Sequence, residues 1–138
     1  MNATVLAIDP GSKRIGIAVS DPSGSMAIPI GTVEAGPSAV AAIEDLVKQK
    51  SAVEVIVGLP LHLNSKEGDS AKAARRLAES LERTLDVPVT MVDERLTTVQ
   101  ASRALSAAEV GSKKKRQVVD QVAATFLLQG YLDSRRRS

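Results

Sequence analysis

The first apolar run of the chain, residues 5–8, ends on a carboxylate. Because the run has no polar alternation, it predicts a central strand that is covered on both faces. A negative charge at the end of such a strand costs free energy unless a cation or hydrogen-bond donors meet it. Asp9 is closely followed by Gly11, where a ligand can approach the backbone, and by the cations Lys13 and Arg14. This turn predicts a bound metal and a phosphate, and the alternative is an ordinary turn with a solvated aspartate.

The apolar periodicity changes along the chain. Residues 4–9, 14–20 and 26–33 are predicted as three strands, because short connections rich in Pro, Gly and Ser join them, as antiparallel hairpins require. Buried strands are predicted at 53–57 and 87–92, helices from about 37, from about 70, over 98–108 and over 117–134, and a charged loop at 109–116. Helix crossovers imply parallel pairing. We therefore predict an α/β fold whose five-stranded mixed sheet combines a three-strand antiparallel meander with two parallel strands, with the first strand near the centre and helices on both faces.

The composition limits the class of protein. A chain of 138 residues suits one domain, 1–138, in which we expect residues 134–138 to form a basic, disordered tail. Only Phe126 and Tyr131 are aromatic, which argues against modules that stack bases on exposed rings. The absence of Cys predicts a reducing, cytoplasmic location without disulfides. No apolar run is long enough to predict secretion or a membrane partner.

Acidic residues end two of the predicted strands. Asp9 ends the first strand, and Asp93 and Glu94 end the last one. The carboxyl ends of parallel strands lie at the same edge of a sheet, where ligands bind in open α/β folds. Because side chains alternate along a strand, only one of Asp93 and Glu94 is expected to face the site. The other is expected to pair with Arg95 or to cap the following helix.

A further acid interrupts the apolar stripe of the last helix. At about 100° per residue, Asp120 falls between Leu127 and Tyr131 rather than on the polar arc. The alternative is a first-turn acid that the helix dipole favours. A core-facing carboxylate needs a partner, and a metal shared with Asp9 and Glu94 would provide one.

Three acids in one pocket repel each other, and a hard divalent cation with oxygen ligands, Mg²⁺ or Mn²⁺, removes the conflict. Two such ions on either side of a phosphodiester can activate water and stabilise the leaving oxygen. Thiolate and Ser-His-Asp schemes do not fit, because the chain has no Cys and only one His, His62. His62 is predicted to be a loop residue, although a role as a proton shuttle stays open.

Basic residues are concentrated in the turn after Asp9 and near the C-terminal end. Clustered positive charge attracts polyanions, although many such runs are only solvated surfaces. Phosphate contacts position a nucleic acid without reading its sequence. The candidate nucleic-acid-binding residues are Lys13, Arg14, Arg95, Lys113, Lys114, Lys115 and Arg116.

Four segments, in order and across nearly the whole chain, resemble the YqgF (RuvX) family: DPGSKRIGIAVSD from Asp9, GLP from Gly58, DERLTT from Asp93, and DQVAA with LLQGYL from Asp120. The resemblance implies an RNase H-like fold related to Holliday-junction resolvases. It also implies acidic, metal-binding catalytic positions at Asp9, Glu94 and Asp120. Resolvases of this superfamily often carry a fourth acid near the one on the last helix, and Asp120 has no such neighbour. Whether Asp93 takes part, and whether one or two metals bind, therefore stays open.

The leading hypothesis is a Mg²⁺- or Mn²⁺-dependent endonuclease, and the resemblance to the YqgF (RuvX) family implies that it processes the 5′ end of pre-16S rRNA in ribosome biogenesis. The alternatives are a Holliday-junction resolvase in DNA recombination and repair, and a non-catalytic RNA-binding ribosome-maturation factor. A homodimer stays open, because junction cleavage needs two symmetrically placed sites. An actin-like ATP-using enzyme also begins with an acid and a glycine turn, but two such domains are needed to enclose ATP.

Overall fold

The computed structural model describes residues 2–11, 13–60, 68–94 and 113–136, and within the last helix the side chains of residues 122–135. The elements are β1 (Val5–Pro10), β2 (Arg14–Ser20), β3 (Ala27–Glu34), α1 (Ala39–Lys50), β4 (Glu54–Leu59), α2 (Asp69–Thr84), β5 (Val89–Asp93) and α3 (Lys113–Arg136). The helix predicted over residues 98–108 lies outside the described residues.

The five strands form one mixed sheet in the order β3-β2-β1-β4-β5. β1 pairs antiparallel with β2, and β2 pairs antiparallel with β3. β1 and β4 are parallel, as are β4 and β5. The predicted sheet is confirmed, with the first strand at its centre. This central position explains the unbroken apolar run of β1, because a central strand is covered on both faces.

Alternate residues of β1 enter two different hydrophobic cores. Leu6 and Ile8 belong to the core formed with α1 and α2. Val5 and Ala7 pack under α3, which crosses β1, β2 and β3 on the other face. The predicted helices on both faces are therefore confirmed. In β1, β2, β4 and β5, the parity of a residue also tells which helix layer its side chain meets.

The last helix is longer at both ends than the sequence predicts. It begins at Lys113, so residues 113–116 form its first turn and not the predicted loop. Lys and Arg are good helix formers, and no Pro or Gly separates this run from the apolar stripe. It ends at Arg136, so residues 134–136 are helical rather than part of a disordered tail. Arg135 Nη1 lies 2.9 Å from Glu54 Oε1, and a cation near a helix C-terminus is favourable.

Glu54, at the start of β4, anchors the C-terminal half of α3. Its side chain is nearly buried, and its Oε2 accepts a 2.6 Å hydrogen bond from the Tyr131 hydroxyl. Thr90 Oγ1 lies 3.4 Å from the same oxygen, and the Arg135 guanidinium lies 5.0 Å from the centre of the Tyr131 ring. Burial, and then the hydrogen bond to the Glu54 carboxylate and its charge, raise the pKa of Tyr131 to about 12. This anchor lies at the sheet edge opposite to Asp9, because Val5 is paired with Glu54.

A second contact ties the same helix to the beginning of β3. Gln129 Oε1 accepts a 2.9 Å hydrogen bond from the Ala27 amide, and Gln129 Nε2 donates to the Ser25 carbonyl at 3.1 Å. Nε2 also donates to Asp133 Oδ1 at 3.0 Å. The helix is thus held at two places along its C-terminal half. In the part of the chain that the structure describes, no helix is long and apolar enough to cross a membrane.

Candidate metal and nucleic-acid site

Asp9 lies on the sheet face that α3 covers. It follows Val5 and Ala7 at the strand period of two, and those residues pack under α3. Its side chain is buried, with only 2% exposed, and its Oδ1 is inaccessible to solvent. One step beyond the paired residues Ile8 and Val57, the register places Asp9 beside Gly58 of β4. The carboxylate therefore lies at the carboxyl edge of the parallel strands, next to a residue without a side chain.

Glu94 reaches the same place from β5. It is 1% exposed, and its Oε1 is inaccessible to solvent. A Cβ built on Gly58 would lie 2.7 Å from Glu94 Oε1 and 3.0 Å from Leu127 Cδ2 of α3. The glutamate carboxylate is thus packed against the backbone of β4, beneath α3. Asp9 and Glu94 consequently lie on the same face and at the same edge, with Gly58 between their strands.

Asp93 follows the other face of β5. Met91, which has the same parity, packs with the α1 and α2 core, whereas Val92 packs under α3. The Nη1 of Arg75 in α2 approaches Met91 Sδ at 3.9 Å on that face. Asp93 therefore lies on the α2 face and Glu94 on the α3 face. A cation bound between β1 and β5 under α3 would therefore contact Glu94 and not Asp93.

Asp120 belongs to α3, but its side chain lies outside the described residues. By helical spacing its position is in line with Ala124 and Leu127, whose side chains are fully buried against the sheet. Among the side chains that the structure does describe, no three acidic, His or Cys groups form a metal-binding cluster. The third acid of the predicted set stays a prediction.

Gly11, in the turn after Asp9, is required for a reason other than the expected approach of a ligand to its backbone. A Cβ on Gly11 would collide with the carbonyl oxygen of Arg14, so the hairpin itself requires the glycine. Lys13 is exposed, and its carbonyl oxygen accepts a 3.0 Å hydrogen bond from the Ala35 amide. Arg14 has the parity of Ala18, which packs under α3, and its Nε is inaccessible to solvent. Arg14 therefore shares a sheet face with the acids, whereas Lys13 lies at the surface.

The other predicted phosphate-binding cations are Arg95 and residues 113–116. Arg95 lies outside the described residues, as do the side chains at positions 113–116. The backbone places residues 113–116 in the first turn of α3, less than two turns before Asp120.

The donor set of Asp9 and Glu94 fits a hard divalent cation. Both groups present carboxylate oxygens, which Mg²⁺ and Mn²⁺ prefer over soft ligands. Two buried carboxylates at one sheet edge also repel each other, and a shared cation lowers that repulsion. The missing side chain at Gly58 leaves the space in which the Glu94 carboxylate lies. The residues present therefore suit such an ion.

From the sequence alone, Gly58 is only the residue that follows a predicted strand. A glycine directly after an unbroken apolar strand, followed by Leu59 and Pro60, was the available signal. It does not reveal which side chain from another strand occupies the space above it, because that partner, Glu94, is far away in sequence.

Buried acids at the carboxyl edge of a sheet with this strand order define an RNase H-like domain of the resolvase type. Thermus thermophilus RuvC in complex with a Holliday junction substrate has the same fold, with a TM-score of 0.59 and 15% identity over 99% of this chain and 97% of that one. The fowlpox virus resolvase bound to Holliday junction DNA gives a TM-score of 0.56 and 12% identity over 96% and 98%.

The chain belongs to the RuvX family of Holliday junction resolvases, whose profile matches residues 3–134. A relative from Rhodococcus jostii is 49% identical over 140 residues, covering 96% of this chain and 79% of the relative. One from Thermobifida fusca is 48% identical over 141 residues, covering 96% and 89%. One from Moorella thermoacetica is 44% identical over 131 residues, covering 94% of each. All three carry the provisional name pre-16S rRNA nuclease.

Proposed function

We propose that this chain is a metal-dependent endonuclease that processes the 5′ end of pre-16S rRNA during ribosome biogenesis. The observation that carries the proposal is the burial of Asp9 and Glu94 on one face and at one edge of the sheet. Membership of a nuclease family and the names of the relatives support the reaction class and the RNA substrate.

In this proposal Asp9, Glu94 and Asp120 hold Mg²⁺ or Mn²⁺ through carboxylate oxygens. When bound, such cations activate a water for attack on the phosphodiester and stabilise the leaving oxygen. Asp9 and Glu94 supply acceptor oxygens on the face of the sheet that α3 covers. Little reorganisation is then needed on binding, because Asp9 and Glu94 are already buried in place.

Positive side chains around the acids hold the nucleic-acid backbone. We assign phosphate contacts to Lys13, Arg14, Arg95 and residues 113–116. Arg14 shares the face of the acids, so it suits a phosphate next to the scissile bond, whereas exposed Lys13 suits one farther along the strand. Such contacts orient the substrate without selecting its bases.

A matched pair of substitutions at the end of β5 tests the assignment. The purified protein is incubated with precursor rRNA and with a four-way DNA junction, with and without Mg²⁺. Glu94→Gln should abolish cleavage, and Asp93→Asn, its neighbour on the opposite face, should leave most of the cleavage intact. Equal loss in both variants would contradict the assignment. RNA binding without any cleavage by the wild type would instead favour a non-catalytic maturation factor.

The second candidate, junction cleavage, is favoured by the family description and by the resolvase fold. That reaction requires two sites related by a twofold axis, so it calls for a homodimer. Cleavage of the four-way junction together with a dimeric mass in solution would support this candidate over rRNA processing. A cytoplasmic location is part of both proposals and rests on the absence of Cys.

A further inference from the structure

Gly58 lies against both the Glu94 carboxylate and the Leu127 side chain of α3. The Cβ of any other residue there would lie 2.7 Å from Glu94 Oε1, 3.4 Å from Glu94 Cδ and 3.0 Å from Leu127 Cδ2. The backbone at Gly58 does not have a positive φ, so alanine could adopt its conformation without strain. The glycine is therefore required by its surroundings and not by its dihedral angles.

The two neighbours of that missing Cβ differ in how easily they can move. Leu127 Cδ2 would lie 3.0 Å from the added Cβ, which a shift of a few tenths of an ångström relieves, whereas Glu94 Oε1 would lie at 2.7 Å, closer than real Cβ contacts allow. Leu127 is fully buried in one core with Ile56 and Leu128, and close packing there opposes a change of its rotamer. The Glu94 carboxylate, at the end of a flexible side chain, therefore has to move the farther of the two.

We infer that Gly58 is a positioning residue that fixes the carboxylate of Glu94 for metal binding. The inference rests on the proposed function for its link to cleavage, but the geometry itself concerns only Gly58, Glu94 and Leu127. Gly58 acts through Glu94, by leaving one direction open to the Glu94 carboxylate, beside Asp9 and under α3.

The variant that tests this inference is Gly58→Ala. Changing a residue that orients a metal ligand costs about 10–100-fold in metal affinity. The apparent Kd for Mn²⁺ should therefore rise by that factor in Gly58→Ala. The value of kcat should fall by about 10²-fold, as expected for a reacting group misplaced by about 1 Å. KM for RNA should stay nearly constant, because the phosphate-binding residues are untouched. Calorimetric titration with Mn²⁺ alone measures the affinity without any nuclease assay.

A second substitution decides which neighbour transmits the effect. Glu94→Asp removes one methylene and gives the carboxylate room to retract from the added Cβ. In the wild-type background it should weaken Mn²⁺ binding, but in the Gly58→Ala background it should restore at least part of the affinity. Leu127→Ala in the Gly58→Ala background should restore less. If Leu127→Ala rescues and Glu94→Asp does not, Gly58 only accommodates the helix and the inference is overturned.

Val57→Ile is the matched control, because it adds one carbon to the same strand on the opposite face, within the α1 and α2 core. It should lower the melting temperature and leave Mn²⁺ affinity unchanged. Should Gly58→Ala alone fail to fold, the double variant with Glu94→Asp supplies the comparison with Glu94→Asp alone. An affinity unchanged within threefold in Gly58→Ala would overturn the inference. Failure of the wild type to cleave RNA would refute the proposed function while the Mn²⁺ titration still decides the role of Gly58.

Discussion

Replacement of Tyr131 by Phe should destabilise the fold through a single lost hydrogen bond. The ring and its packing between α3 and the sheet are kept, but Glu54 Oε2 loses the 2.6 Å donor. A hydrogen bond to a charged group contributes about 1.5–3 kcal/mol, and the nearly buried Glu54 leaves little water to replace it. The free energy of unfolding should fall by that amount, which for a chain of this length corresponds to a melting temperature about 5–10 °C lower.

The same pair predicts how this contribution depends on pH. The pKa of Tyr131 is about 12 in the folded protein, whereas the ordinary pKa of a tyrosine is 10.0. A group whose pKa is raised on folding contributes stability that is fully present below its unfolded pKa and is lost as the pH rises through the folded pKa. The difference in unfolding free energy between wild type and Tyr131→Phe should therefore be constant from neutral pH to pH 10 and shrink between pH 10 and 12.

Urea unfolding followed by circular dichroism measures both effects. Glu54→Gln keeps an acceptor but removes the charge, so a double-mutant cycle with Tyr131→Phe isolates the charged part of the interaction. A cost of less than about 0.5 kcal/mol for Tyr131→Phe, the range of ordinary surface substitutions, would contradict a stabilising hydrogen bond between Tyr131 and Glu54. A difference between the two proteins that does not change from pH 10 to pH 12 would contradict the raised pKa of Tyr131.

Three further outcomes concern the acidic site and its substrate. Asp9→Asn should abolish cleavage and leave the metal-free melting temperature unchanged or raised, because it relieves repulsion between buried carboxylates; a lowered melting temperature would show that the charge is needed for folding. Replacing residues 113–116 together by Ala should flatten the slope of log affinity against log salt by up to ~0.9 per lost contact on duplex DNA, and an unchanged slope would mean that this turn of α3 is only solvated. A few millimolar Mg²⁺ should stabilise the wild type by about 1 kcal/mol if its Kd is near one millimolar, and calorimetry should show this gain vanish in Asp9→Asn; a persistent gain would place the ion elsewhere.

The sheet could be predicted because each of its strands has a local signal. An unbroken apolar run indicates a strand covered on both faces, and short Pro- and Gly-rich connections indicate hairpins. The change to helical spacing after residue 37 implies crossovers and hence parallel pairing. These local rules were sufficient for the strand order around β1, and for the expectation that Asp9 and Glu94 meet at one edge.

The sequence failed where partners are distant or where two local rules compete. The charged run at residues 113–116 favoured a solvated loop, but the helix propensity of Lys and Arg extends α3 through it. Helical spacing places Gln129 on the polar side of the last helix, yet its side chain binds the backbone of Ala27 and Ser25. The role of Gly58 depends on Glu94, and no spacing rule connects two strands that pair only in the folded sheet.

The central position of β1 determines when the acidic site can come into existence during synthesis. β1 is made first, but one of its two neighbours, β4, begins only at Glu54, and Glu94 and α3 follow still later. Contacts between such distant segments form slowly, because a long loop must close before they stabilise anything. A chain that has left the ribosome only as far as β3 carries Asp9 without Gly58, Glu94 or the covering helix. An unfinished copy of this chain therefore lacks the proposed metal site for as long as it is attached to the ribosome that makes it.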